Sequence, residues 1–303
     1  MNEERAVDPV DEGRHVPDPD QLWNESWYAD VVTADGSVAA YIRLGLYPNL
    51  GVSWWHLALV GPGRPVVVCQ LTDVPVPADA LVVSSADSDV RLTIDKALES
   101  FTVRGTMTGA SYAEAADIYG GLPGNEVRVD VDLTWATDGS PFHYLMTTRY
   151  EIPCAVTGMV SIDGEQVRLD GPGQRDHSWG VRDWWAFGWC WSAGHLADGT
   201  HTHLTEVRAE GGPFHAGYVQ EGGSLAPVEV GSASETLGDH GFPARASLRH
   251  DDLVVEVEPL AFGPILLTSP DGRVGRFPRA SARFTAADGR TGVGWIEWNQ
   301  PSL

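Results

Sequence analysis

Glycine (34 residues) and proline (20 residues) cut this 303-residue chain into short pieces, and that punctuation constrains its fold more than any other feature. Glycine opposes helix interiors through backbone entropy, and proline through its missing N–H and its ring clash. Apolar stretches of strand length lie between the breaks, at residues 37–46, 52–60, 65–71, 89–94, 100–107, 126–135, 142–152 and 156–162. Turn pairs such as Asp35-Gly36, Asp138-Gly139 and Asp163-Gly164 separate several of them. The rhythm resumes at 186–196, 200–209, 214–221, 246–249, 253–259, 274–285 and 291–299, and before residue 165 only 111–119 has helical composition. The expected class is all-β. Many short strands at this spacing build sandwiches or barrels, and closed barrels also remove exposed strand edges.

The length favours two medium domains, compatible with two similar barrels in tandem although no close internal repeat is found. An excess of 42 acidic over 20 basic residues argues against a nucleic-acid or anionic-membrane partner, since both need positive surface. Cys69, Cys154 and Cys190 are too few and too scattered for a disulfide framework or a paired-Cys zinc site, which fits a cytoplasmic protein. The first twenty residues are rich in acid and proline, unlike a secretory signal, and no apolar run reaches membrane-spanning length. The expected organisation is a disordered tail at 1–20, an N-terminal β domain at 21–165 and a C-terminal β domain at 166–303.

One segment stands apart from this rhythm. Gly171-Pro-Gly-Gln-Arg-Asp-His-Ser-Trp-Gly-Val-Arg-Asp-Trp-Trp185 packs two Arg, two Asp and one His among three Trp. Aromatics seek burial and charges resist it, so such a run must fold into a paired polar cluster within an apolar wall. Environments of that kind shift pKa values and often carry chemistry. The plainer reading is that Arg175 with Asp176, and Arg182 with Asp183, are ion pairs holding the domain junction.

The next stretch reads as a hairpin, Trp189–Leu196 and His201–Arg208, with Asp198-Gly199 suited to a two-residue turn. Pairing Ala197 with Thr200 puts Trp191 opposite Glu206 and His195 opposite Thr202. One face then carries Trp189, Trp191, Ala193, His195, Thr202, Leu204, Glu206 and Arg208, a pocket wall with a single acid. A surface Glu206 paired with Arg208 is the simpler alternative, and a one-residue slip would exchange the partners. His201 and His203 fall on the other face as a solvated pair near the turn, with spacing to Glu206 that does not suit a metal site.

The string Arg175-Asp-His-Ser-Trp-Gly180, with Arg182-Asp183-Trp184 after it, resembles the carotenoid 1,2-hydratase (hydroxyneurosporene synthase) superfamily of lipocalin-like proteins. Tyr150-Glu-Ile-Pro153, Val156-Thr-Gly158, Gly292-Val-Gly-Trp-Ile-Glu297, Trp23-Asn-Glu-Ser26 and Arg43-Leu-Gly45 are similar to the surroundings of that motif in bacterial relatives of uncharacterised function. The resemblance implies two tandem lipocalin-like antiparallel β-barrels, with the motif in the C-terminal one, binding a hydrophobic small molecule. Activities across that group are diverse, so fold alone does not decide function.

Hydrating a trisubstituted alkene needs an acid to protonate carbon, a wall that tolerates a carbocation, and a placed water. A carboxyl kept protonated in an apolar pocket serves as donor, and the candidates are Asp176 and Glu206, with Glu297 as a third. His177 is the candidate for orienting water or taking the proton back. Indole faces stabilise a cation, so Trp179, Trp184, Trp185, Trp189, Trp191 and Trp295 are candidate substrate contacts, with His195 and Tyr218. Glu25 and Arg43 are read as a structural pair. Neither a cofactor nor a metal is expected. The leading expectation is an enzyme hydrating, dehydrating or cyclising an isoprenoid or other apolar alkene; a non-catalytic lipid carrier and a pericyclase remain as alternatives.

Overall fold

The computed structural model describes residues 6–269 and 271–301, and the expected all-β class is what the chain adopts. Eight antiparallel strands close into a first barrel: Trp23–Val32, Ala39–Tyr47, Val52–Val60, Val66–Pro75, Ser100–Tyr112, Asn125–Thr137, Arg149–Ile162 and Gly171–Val181. Each pairs with the next in space, and Gly171–Val181 closes the ring between Trp23–Val32 and Arg149–Ile162. The motif expected in the C-terminal barrel therefore lies in the wall of the first. Gly173 permits that closure, because a Cβ there would stand 2.0 Å from the Asp30 carbonyl oxygen. Only the connector 182–187 then leads to the second sheet.

The second sheet curls in the order Gly212–Glu221, His201–Ala209, Gly188–Leu196, Thr291–Pro301, Arg279–Ala286, Leu253–Phe262, Pro243–His250 and Gly231–Leu237. Side chains bring its two ends together: Glu206 Oε2 accepts from the Ala233 N–H at 2.9 Å, and Arg208 forks onto Glu235 at 2.5 and 2.6 Å. The molecule is thus two tandem lipocalin-like barrels.

Burial patterns show where the barrels meet. Strand Asn125–Thr137 alternates buried and exposed positions, as a wall with one wet face must, whereas Trp23–Val32 and Ala39–Tyr47 are buried along their whole length. Their inward residues, Trp27, Ala29, Ile42 and Leu44 among them, fill the first barrel. Their outward residues Tyr28 and Tyr41 pack instead on Trp191 and Trp295 of the second. Each such aromatic removes on the order of 200 Å² from water, worth about 5 kcal/mol before entropy is counted.

Two expectations about short segments change here. The helical stretch at 111–119 is reduced to Ala116–Tyr119. The expected tail is ordered from residue 6: Pro9–Glu12 forms a 3-10 turn capped by Asp8, and Glu12 is buried. Residues 1–5 of that expectation lie outside the described residues.

Candidate active site between the barrels

Strand alternation divides the motif between two environments. Arg175, His177 and Trp179 turn toward the interior of the first barrel, and Asp176 and Ser178 turn outward to the seam. On the inner side Arg175 donates to both Glu12 oxygens at 2.7 and 3.0 Å, and the Tyr150 hydroxyl donates to the same carboxylate at 2.6 Å. His177 Nε2 lies 3.1 Å from Glu25 Oε1, its Nδ1 lies 2.6 Å from the Asp11 carbonyl, and its ring stacks on Trp27. His15 completes this cluster, with Nδ1 2.7 Å from Glu25 and its ring stacked 3.8 Å from Trp179. Burial opposes protonation of His15, but Glu25 and Asp11 outweigh it and raise its pKa. Ligand-type atoms of His15, Glu25 and His177 come within 4.8 Å of one another, and the hydrogen bonds just given engage all three residues.

On the outer side lies a cavity of about 770 Å³ between the barrels. Its walls include Tyr28, Arg43, Tyr144, Arg149, Asp176 and Trp179 from the first barrel, Arg182 and Trp184 from the connector, and Trp189, Trp191, Arg279 and Glu297 from the second. Asp176 and Glu151 are directly opposed across neighbouring strands, and Arg149 bridges them with Nη2 2.8 Å from Asp176 and Nε 2.8 Å from Glu151. Burial pushes the Asp176 carboxyl up to about 7, against the pull of Arg149 and with the help of the like-charged Glu151. An acid poised near neutrality thus faces an aromatic cavity.

The network extends into the second barrel. Trp191 Nε1 and Gln174 Nε2 both donate to Glu151, at 3.1 Å each. Tyr144 places its hydroxyl 2.5 Å from His203 Nε2 and 2.9 Å from Thr205. His203 Nδ1 sits 2.8 Å from the Ser192 carbonyl and so carries the hydrogen, leaving Nε2 to accept from Tyr144. Burial, reinforced by Arg149, holds His203 well below the usual imidazole range, so it stays neutral. Asp30 is also held high by burial, while the Gln174 N–H and the Tyr28 hydroxyl donate to it.

Of the residues singled out from the sequence, Asp176, Trp184, Trp189, Trp191 and Glu297 line this cavity, and Trp179 borders it while its ring stacks on His15 in the inner cluster. His177 does not, because alternation sends it into the first barrel. Glu206 does not either: the observed register pairs it with Cys190, not Trp191, and turns it toward the core of the second barrel. The cause is the turn. Ala197, Asp198 and Gly199 form a three-residue loop with Gly199 at φ 88°, in place of the two-residue turn, and one extra residue exchanges the faces. The same shift brings His201 and His203 to the Trp191 face, where both are buried and not solvated. His195 meets His201 at 2.9 Å, and Trp185, Tyr218 and Trp295 donate to Leu267, Gln174 and Val31 as packing residues outside the cavity.

The expected ion pairs also rearrange. Asp176 binds Arg149 and not Arg175; Asp183 binds Arg273 and not Arg182; Glu25 faces the barrel interior while Arg43 faces the seam. Arg149, Glu151 and Tyr144 are therefore functional candidates that sequence reasoning missed, and Arg43 and His203 join them from the structural and solvated roles expected of them. For Arg43 the available signal was the near-continuous apolar run of residues 39–47, which marks an outer face that is also covered.

Matching against family profiles decides the relationship: the domain of unknown function DUF7064 spans residues 8–302. The chain belongs to this family. No curated protein matches it by sequence. This DUF7064 chain is similar in structure to a Nitrosomonas europaea protein assigned as AttH, with TM-score 0.69 and 15% identity over 98% of this chain and 97% of that one. It is also similar to kievitone hydratase from Nectria haematococca, with TM-score 0.63 and 11% identity over 98% and 94% of the two chains. CghA gives TM-score 0.57 and 12% identity over 99% and 96%. At these identities the likeness establishes the shared fold.

Proposed function

We propose that this protein is an enzyme acting on an apolar alkene, of isoprenoid type, by acid-initiated hydration, its reversal, or cyclisation in the cavity between the barrels. The observation that carries this reading is Asp176: a buried carboxyl whose pKa is pushed up to about 7, facing a cavity walled by Trp184, Trp189 and Trp191. In its protonated form Asp176 donates to the alkene carbon, and the indole faces attract the resulting cation by about 2 kcal/mol or more where water is excluded. The conjugate base, held by Arg149, takes a proton back when water adds or when a neighbouring C–H is lost. The fold shared with kievitone hydratase supports a hydratase.

The test is incubation of the protein with prenyl alcohols and prenylated phenols in heavy-oxygen water, followed by mass spectrometry, with Asp176→Asn as the control. Label incorporation or a cyclised product that disappears in the variant is the expected result; no product across the panel counts against the reading. A pericyclase is the second reading, favoured by the 2.8 Å ion pair from Arg149, which opposes protonation of Asp176. It calls for turnover independent of pH and preserved in Asp176→Asn.

A further inference from the structure

The cavity wall carries positive charge that the protein leaves unbalanced. Although acidic residues outnumber basic ones by 42 to 20 in the chain, four arginines, Arg43, Arg149, Arg182 and Arg279, face this cavity. Two of them have carboxylate partners: Arg149 bridges Asp176 and Glu151, and Arg279 contacts Glu297. Asp183, the remaining acid of the wall, is taken by Arg273 at 2.9 Å. Among the described residues no carboxylate lies within ion-pair distance of Arg43 or Arg182.

Arg43 is only 3% exposed, and its Nη2 is buried without a hydrogen-bond partner. Its seat is built: Gly45 leaves room where a Cβ would stand 2.5 Å from Nη1, and the guanidinium lies 4.5 Å from the ring centroid of Trp184. No adjacent group carries a counter-charge for it, and Asp176 acts on it only from beyond ion-pair distance. Burial keeps Tyr47 in its phenol form, and it drives His56 well below the usual imidazole range, with the charge of Arg43 adding to that effect. Arg182 reports the same imbalance, because burial and the like charges of Arg149 and Arg43 push it down to about 10 against the pull of Asp176. A buried cation without a counter-ion is costly, and a guanidinium fork fits a planar carboxylate in bidentate fashion.

We infer that the ligand of this cavity is an apolar chain bearing one carboxylate, received by Arg43 and Arg182 at the end of the cavity walled by Trp184. This rests on the apolar-ligand reading above and adds the polar end of the molecule. Asp176 does not repel it at close range, since Arg149 covers that carboxyl. The chain would then extend along the indoles toward Trp189 and Trp191, with its double bonds within the reach of Asp176.

The experiment is isothermal titration calorimetry of the full chain, at about pH 7.5, with farnesoic acid, its methyl ester and farnesol, which share one apolar body. The acid is expected to bind at least about tenfold more tightly than the ester or the alcohol. Arg43→Gln and Arg182→Gln should each erase most of that preference while leaving farnesol affinity within about twofold; Arg182 lies on the connector and not in a barrel strand, so its variant remains informative if loss of Arg43 perturbs folding. Equal binding of acid, ester and alcohol overturns the carboxylate site and leaves the apolar cavity standing. A preference for the acid that survives both substitutions overturns the assignment to these arginines. Binding of none of the three overturns both readings.

Discussion

The two faces of strand Gly171–Val181 carry the same kinds of residue toward opposite ends. Inward, Arg175 and His177 find fixed partners in Glu12 and the Asp11 carbonyl, on the turn Pro9–Glu12, and in Glu25 of strand Trp23–Val32. Outward, Asp176 faces a cavity, shares Arg149 with Glu151 and has its pKa displaced to about 7. Burial is nearly the same on both sides, so burial does not distinguish structure from chemistry here. The difference is whether each charge is matched. A matched cluster stabilises the fold by its geometry, whereas an unmatched one keeps a proton or a ligand site available.

The sharpest break of this contrast is Asp176→Asn, for which turnover on any accepted substrate should fall by about 10² to 10⁴-fold, the usual reach of general acid catalysis, with the urea midpoint little changed. A variant that unfolds while its residual folded fraction still turns over would reverse the roles of the faces. Arg175→Met probes the other side. It leaves Glu12 buried and unpaired, and breaking such a pair costs about 3–5 kcal/mol, visible as a lower denaturation midpoint.

Smaller effects refine the outer face. The rate should fall above about pH 7 as Asp176 ionises, because only its protonated form donates. Since Arg149 lowers that pKa, Arg149→Met should move the falling limb to higher pH by roughly one unit, measured as kcat/KM against pH. The least effect belongs to His15, at the rim of the inner cluster. Its pKa is raised on folding, so its stabilisation is complete below the unfolded value of 6.5 and is lost as pH rises through the higher folded value. Chemical denaturation at about pH 6 and pH 9 should therefore show a difference below about 1 kcal/mol that His15→Gln removes, the group being partly open to solvent.

The motif was legible as a polar cluster in an apolar wall because its composition admits no other burial. Its division between two faces follows from alternation once a strand is assumed, yet which face meets the second barrel does not. The hairpin illustrates the limit: Asp198-Gly199 fits a two-residue or a three-residue turn, and the difference moved Glu206 away from Trp191 and brought His203 beside Tyr144. Arg149 gave no signal of its own, since it sits in an ordinary strand, and Arg43 was legible only as a partner for Glu25, which faces the other side of the sheet.

By itself the sequence determined what local physics determines: an all-β chain, from glycine and proline spacing and strand periodicity, and a segment that had to be both buried and charged. The tertiary structure decided the rest. Strand 171–181 closes the first barrel through pairing with residues about 150 positions earlier, and the cavity exists only where the outer faces of two barrels meet. Partners that distant are selected by packing and by the total balance of buried charge, quantities that no window of sequence contains.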